Sequence, residues 1–260
     1  MRPRFVYFCP WQRPRNLCSC LVRFSGGSNM DNKVMDAVRS RKSVRAFLHK
    51  PVDRALIHEI LDAARWAPSG TNTQPWLVYM VDGEARQNLS ARIQDAYQQG
   101  VPGDMEYTYS LDEWRDPYQR RRRATGFGLY NHLGIARDDK QARFQQAGRN
   151  YDFFDAPTGL FFCLEKDLGP GSWLDLGLYM QSVMLMAHAA GLATCPQQAF
   201  SSYYKIIKQA LGIPDSQILV TGMAMGYEDK DAHVNKFRPE RDEVSDFLTV
   251  VEKLQPAPKG

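Results

Sequence analysis

Ala67-Pro68-Ser69-Gly70-Thr71-Asn72-Thr73-Gln74-Pro75-Trp76 is the stretch that decides how the chain folds. Before it, Leu56, Ile57, Ile60, Leu61 and Ala64 recur at helical spacing; after it, the apolar run Leu77-Val78-Tyr79-Met80-Val81 predicts a strand. The decapeptide is therefore a helix-to-strand connection. Two prolines and a glycine punctuate it, and Ser69, Thr71, Asn72, Thr73 and Gln74 supply five hydrogen-bonding side chains. That composition predicts a rigid, extended loop offering donors and acceptors to a flat polar ligand. Ordinary connectors are built from the same residues, so the loop takes its meaning from its surroundings.

Upstream, Val34, Met35, Ala37 and Val38 lie on one side of a helix for which Asp31 is the expected cap, and Arg41-Lys42-Ser43-Val44-Arg45 follows it. Pro51 and Asp53 open the next helix. Downstream, Ala156-Pro157 leads into a second strand, Thr158 to Leu164, whose unbroken apolar run predicts burial on both faces. A helix from Trp173 to Ala190, capped by Ser172, is apolar almost all round and needs a covering partner, either one core or a second subunit. Cys195-Pro196-Gln197-Gln198 reads as a turn. A helix through Tyr204, Ile207 and Leu211 ends at Gly212, Gln217 to Met225 reads as a strand, and Val244 to Val251 forms a terminal strand or arm. This interleaving predicts a three-layer α+β sandwich.

The chain has 260 residues, 43% of them hydrophobic, enough for one large domain, taken as residues 30–260. Residues 1–29 carry five arginines, three prolines and no acidic residue, and read as a disordered or artefactual extension. A net charge of +4 suits an anionic cofactor without arguing for nucleic acid. The run Arg120 to Arg123 goes round a helix and reads as solvated surface. Five cysteines without zinc-site spacing fit a reducing, cytoplasmic setting. The most apolar helix carries Asp175, Gln181, Ser182 and His188, which is too polar for a membrane span, and its lone His188 reads as a packed residue. No Gly-x-Ser-x-Gly, His-Glu-x-x-His, Walker loop or Gly-x-Gly-x-x-Gly is present. A catalyst of this composition must borrow its reactivity from a bound cofactor.

Arg41-Lys42-Ser43-Val44-Arg45 followed by Ala67 to Trp76 resembles the signature of the FMN-dependent nitroreductase family. Asn150 to Pro157, the long helix ending at Gly191-Leu192, Cys195-Pro196-Gln197-Gln198 and the tail Asn235-Lys236-Phe237-Arg238-Pro239-Glu240-Arg241 resemble its later landmarks, in the family's order. The resemblance implies an α-β-α sandwich forming an intertwined homodimer, with FMN at the subunit interface. It implies that Arg41 and either Arg238 or Arg241 serve the FMN phosphate, that Ser43 adds a hydroxyl contact and Lys42 also belongs to the cofactor site, and that Arg45 lies near the flavin pyrimidine edge. Pro68, Ser69, Asn72 and Gln74 match the loop lying against the flavin, usually from the partner subunit; Gly70 stands where some relatives have a second serine. Pro196, Gln197, Gln198 and Ala199 match the segment beside the ring, where a backbone N–H points at flavin N5. Relatives often have Glu-Gly at Gln198-Ala199, which weakens a side-chain role there but not a backbone one. The implied activity is ping-pong reduction of nitroaromatics, or quinones, at the expense of NAD(P)H. Two alternatives stand beside it: a same-fold enzyme acting on an enone or halophenol beneath a lid formed by Gly100 to Tyr130, and a non-catalytic basic binding module.

Overall fold

A computed structural model describes residues 33–254; the expectations for the leader and for the Asp31 cap fall outside the described residues. The helices are α1 (Lys33–Ser40), α2 (Arg54–Ala64), α3 (Gly83–Gln98), α4 (Tyr118–His132), α5 (Lys140–Gly148), α6 (Pro170–Ala189) and α7 (Tyr204–Leu211). The strands are β1 (Leu77–Asp82), β2 (Thr158–Glu165), β3 (Ala193–Gln197) and β4 (Gln217–Gly226). They form one antiparallel sheet in the order β1-β2-β4-β3, with Leu77 opposite Cys163, Thr158 opposite Met225 and Ala193 opposite Gly226.

β2 and β4 are central, and β4 is buried along all ten residues, as a strand covered on both faces must be. On one face Ile57 and Ile60 of α2 and Leu176 and Val183 of α6 pack with Leu160, Phe162 and Met223. On the other, Ile93 of α3 and Ile207 of α7 join Phe153, Phe200, Phe161 and Leu219. The result is the expected α-β-α sandwich. Each fully buried leucine, isoleucine or phenylalanine contributes about 1.5–3 kcal/mol of transfer free energy. Two strand glycines admit the largest rings: a Cβ on Gly159 would lie 2.2 Å from Phe153, and one on Gly222 would lie 2.4 Å from Phe200.

Local chemistry sets the boundaries. The Asp53 carboxylate caps α2 through the Ala55 N–H at 2.9 Å, and Gly212 closes α7 in the left-handed region at φ 65°. α6 begins before the expected Ser172 cap: Gly169 is its N-cap and Pro170 opens its first turn, where a missing N–H costs no hydrogen bond. Cys195-Pro196-Gln197 is not a turn but part of strand β3; Pro196 is tolerated because β3 is the edge strand of the sheet, next to β4, and its outer side is bridged at Thr194 by the segment after α1. Val244–Asp246 is a 3₁₀ turn rather than a strand, and the arm beyond it leaves Phe247, Leu248, Val250 and Val251 exposed. α6 buries Leu176, Tyr179, Val183 and Ala187, while Leu174 remains 68% exposed and Leu178 and Met186 are also open.

Candidate functional site

The segment after α1 runs beside β3. The Val44 N–H donates to the Thr194 carbonyl at 3.1 Å, and Ser43 bridges Thr194 in a parallel pairing. Buried Asn235 ties the basic tail to this segment: its side-chain oxygen accepts the Arg45 N–H at 2.7 Å, and its amide donates to the Ala46 and Asp229 carbonyls, each at 2.8 Å. Residues almost two hundred positions apart thereby become neighbours.

The consequence is a cluster of guanidiniums. Burial lowers the Arg41 pKa, and the positive charges of Arg241 and Arg238 lower it further. Arg238 donates to the main-chain carbonyls of Arg39 and Ser40, and Arg241 to those of Pro239 and Glu240. Among the described residues, none of the three is paired with a carboxylate. The Arg41 Nε is buried without a hydrogen-bond partner, an arrangement that is costly unless an anion completes it. Lys42 differs from its neighbours: its ammonium is held by Glu228 at 2.7 Å and by the Asn235 carbonyl at 2.6 Å, which makes it a brace between the segment and the tail. Arg45 donates to the Ser43 carbonyl at 3.3 Å. Burial pushes the Cys195 thiol up to about 11, despite the opposing influence of Arg45, Ser43 and Arg41 beside it.

The decapeptide loop is tighter than the extended form expected. Gly70–Asn72 make a 3₁₀ turn, and Thr71, Asn72 and Gln74 adopt positive φ of 49°, 60° and 48°. Non-glycine residues persist in that region only when their surroundings hold them there. The Gln74 N–H donates to the Ser69 hydroxyl at 3.0 Å, the Gln74 amide to the Asn72 carbonyl at 3.1 Å, and the Gly70 N–H to both Asp175 carboxylate oxygens at 3.2 Å. Pro68, Asn72 and Gln74 remain open to solvent.

Gln197 and Gln198 use their side chains internally. Gln197 is buried and donates to the Asn150 carbonyl at 2.8 Å; Gln198 reaches the Ser201 hydroxyl at 2.9 Å and the Tyr107 hydroxyl. The Gln197 side-chain oxygen is buried without a partner. Tyr107 belongs to the expected lid, and this part of the lid is fastened: the Asp104 N–H donates to the Ser202 carbonyl, and the buried Glu106 carboxylate accepts the Leu219 N–H and pairs with Lys208 and Lys166. In α4, Arg121 pairs with Asp242, and Arg122 lies over Trp114.

The two halves of the predicted site are far apart in one chain. The loop is anchored at Asp175, near the start of α6, whereas Ser40, next to Arg41, meets His188 near its end at 2.7 Å. The anchors are thirteen positions apart on the helix, about 20 Å at ~1.5 Å per residue. The loop also enters β1, at the sheet edge opposite β3. Asp175, Asn235 and Tyr107 are missing from the candidate site residues read from sequence; Asp175 had a visible signal as a carboxylate within an apolar helix, and Asn235 opens the tail stretch Asn235 to Arg241.

The Nitroreductase family profile matches residues 38–227, and the chain belongs to that family. It is 41% identical over 210 residues to a 4-nitrobenzoate reductase of Pseudomonas putida, covering 81% of this chain and 92% of the relative. A nitrobenzene nitroreductase of Ectopseudomonas oleovorans is 35% identical over 219 residues, 83% of this chain and 96% of the relative. Among solved structures, an FMN- and NADPH-dependent nitroreductase from Sphigopyxis sp. strain HMH superposes with a TM-score of 0.81 at 39% identity, covering 84% of this chain and 98% of its own. An FMN-dependent nitroreductase from Mycobacterium smegmatis, solved with NADPH, reaches 0.81 at 30% identity, covering 84% and 98%.

Proposed function

We propose that this chain is an FMN-dependent nitroreductase that draws electrons from NAD(P)H and reduces nitroaromatic acceptors, with quinones as a second class. The observation that carries the reading is the Arg41, Arg238 and Arg241 cluster around a buried, unpartnered Nε, because a phosphate close to a dianion matches it in charge and in forked donor geometry. Bound FMN supplies the hydride chemistry at ring N5. Arg41 and Arg238 would hold its phosphate, Ser43 would add a polar contact, and Arg45 would supply a cation for the negative charge that the ring gains on reduction. Lys42 braces the tail instead of touching the cofactor. The Pro196-Gln197-Gln198 main chain borders the ring, while their bound side chains keep the strand end in position.

Pro68, Ser69, Asn72 and Gln74 complete the site from a second copy of the chain. The separation of about 20 Å along α6 supports this, as do the open Leu174, Leu178 and Met186 and the apolar residues of the terminal arm, which a second α6 and its flanks would cover. No helix among the described residues is long and apolar enough to cross a membrane; the two described cysteines, Cys163 and Cys195, are both free, in keeping with a cytoplasmic setting.

The test is optical and hydrodynamic. Purified protein should be yellow, absorb near about 450 nm as oxidised flavins do, bleach on adding NAD(P)H, recover with 4-nitrobenzoate and elute as a dimer. A colourless monomer after incubation with FMN would overturn the reading.

A further inference from the structure

Tyr107 lies in the stretch expected as a lid, yet its hydroxyl is built into the end of the sheet. It donates to the Val220 carbonyl and accepts from the Gln198 side-chain nitrogen. The same nitrogen reaches the Ser201 hydroxyl at 2.9 Å and the Val220 carbonyl at 3.2 Å, while the Ser201 hydroxyl donates to the Gln198 main-chain carbonyl at 2.8 Å. Every polar hydrogen on the three side chains thereby has an acceptor. Ser201 is fully buried, and burial raises the Tyr107 pKa, so the phenol keeps its proton at neutral pH. Tyr107 is itself fixed: its ring meets Trp173 edge-on at 4.7 Å, and the neighbouring Glu106 carboxylate accepts the Leu219 N–H at 3.1 Å. A glutamate at position 198 would have no hydrogen to give the Val220 carbonyl, so glutamine is the side chain that this acceptor requires.

We propose that Tyr107 and Ser201 are positioning residues that act through Gln198 to set the reduction potential of the bound flavin. The proposal rests on the FMN reading, in which the Gln198 main chain borders the ring. The network holds Gln198 twice, by its side-chain amide and by its main-chain carbonyl. In a planar trans peptide the following N–H, that of Ala199, points opposite to that carbonyl. With the buried Ser201 hydroxyl drawing the carbonyl inward, the Ala199 N–H is directed away from the network as a fixed donor. Such a donor beside the ring complements the bare N5 of the oxidised state, which carries a lone pair, better than the reduced state, in which N5 bears a hydrogen. The network therefore favours oxidised flavin and holds the potential down.

Tyr107→Phe and Ser201→Ala each remove a hydroxyl and little else. Their flavin-loaded forms are titrated at equilibrium against a redox dye, and their FMN affinity is read by fluorescence. Both variants should weaken oxidised FMN about tenfold more than reduced FMN, which raises the two-electron midpoint potential by about 30 mV. The double variant should shift little further than either single one, because both act through one peptide. Tyr97→Phe is the control: its hydroxyl also donates to a main-chain carbonyl, that of Phe144 at 2.8 Å, outside this network. It should keep the native potential. An unchanged potential in the yellow Tyr107→Phe and Ser201→Ala proteins, an equal shift in Tyr97→Phe, or strict additivity in the double variant would overturn the proposal, whatever the melting temperatures do. Native protein that takes up no FMN would instead overturn the FMN reading.

Discussion

Asp175 holds the Gly70 N–H with both carboxylate oxygens at 3.2 Å, joining the first half of α6 to a loop in which three non-glycine residues have positive φ. The carboxylate is buried, so the contact is a charge-assisted hydrogen bond shielded from water, of about 1.5–3 kcal/mol. With the anchor gone, Thr71, Asn72 and Gln74 can relax out of the left-handed region. Asp175→Ala should leave the circular dichroism spectrum unchanged and weaken FMN about tenfold in a fluorescence titration. Native affinity in this variant would remove the loop from the flavin site.

Arg41 gives a prediction with opposite signs in two states. In the flavin-free protein its charge is partly buried and faces Arg238 and Arg241, so removing it relieves desolvation and repulsion. With FMN bound, the same charge is needed. Arg41→Ala should therefore melt at or above the native temperature without flavin, yet lose FMN at least tenfold more readily. Scanning calorimetry of both variants, with and without FMN, checks the pair; a lower melting temperature in the flavin-free variant would make Arg41 a structural residue.

The sequence carried the layers because they follow from short-range patterns. Apolar runs located β1, β2 and β4, and helical spacing located α2; of the cations singled out, Arg41, Arg238 and Arg241 lie close enough to influence one another. What stayed hidden was pairing across distance. Lys42 looks like any other cation until Glu228 and the Asn235 carbonyl are seen to occupy it. Cys195-Pro196-Gln197-Gln198 read as a turn because sequence does not reveal that β3 is an edge where a proline is tolerated. Nothing near Gln198 in sequence shows that its amide meets the hydroxyl of Tyr107, ninety-one positions earlier.

Glu106 makes acid stability testable. Burial would raise its pKa, but the Leu219 N–H, Lys166 and Lys208 outweigh that and hold it below the ordinary glutamate value. A carboxylate depressed in the folded state stabilises the protein above its unfolded pKa, about 4.3, and that contribution disappears as pH falls through the lower folded value. Glu106→Gln leaves Lys208 buried with a weakened partner and should cost about 3–5 kcal/mol at pH 7. The deficit should shrink below about pH 4, measured by urea unfolding across pH. A deficit independent of pH would mean that the packing of the side chain, not its charge, is what matters.

Gly222 lies beneath Phe200, whose Cδ2 would stand 2.4 Å from any added Cβ, while Phe200 also meets Phe153 at a centroid distance of 4.5 Å and Phe161 at 5.2 Å. The ring is fully buried and cannot swing away without displacing those two. Gly222→Ala should therefore cost about 1–3 kcal/mol by overpacking, although alanine has the better intrinsic propensity in a strand. Phe200 sits two residues after Gln198, in the 3₁₀ turn that follows β3, so the strain has a route to the main chain proposed to border the flavin. Phe200→Leu alone should lose stability by opening a cavity. Combined with Gly222→Ala it should recover part of both losses, a negative coupling of about 1 kcal/mol or more in a double-mutant cycle. Flavin affinity should follow the same pattern. Strict additivity of the two substitutions would place the cost of Gly222→Ala in the backbone instead of in the contact with Phe200.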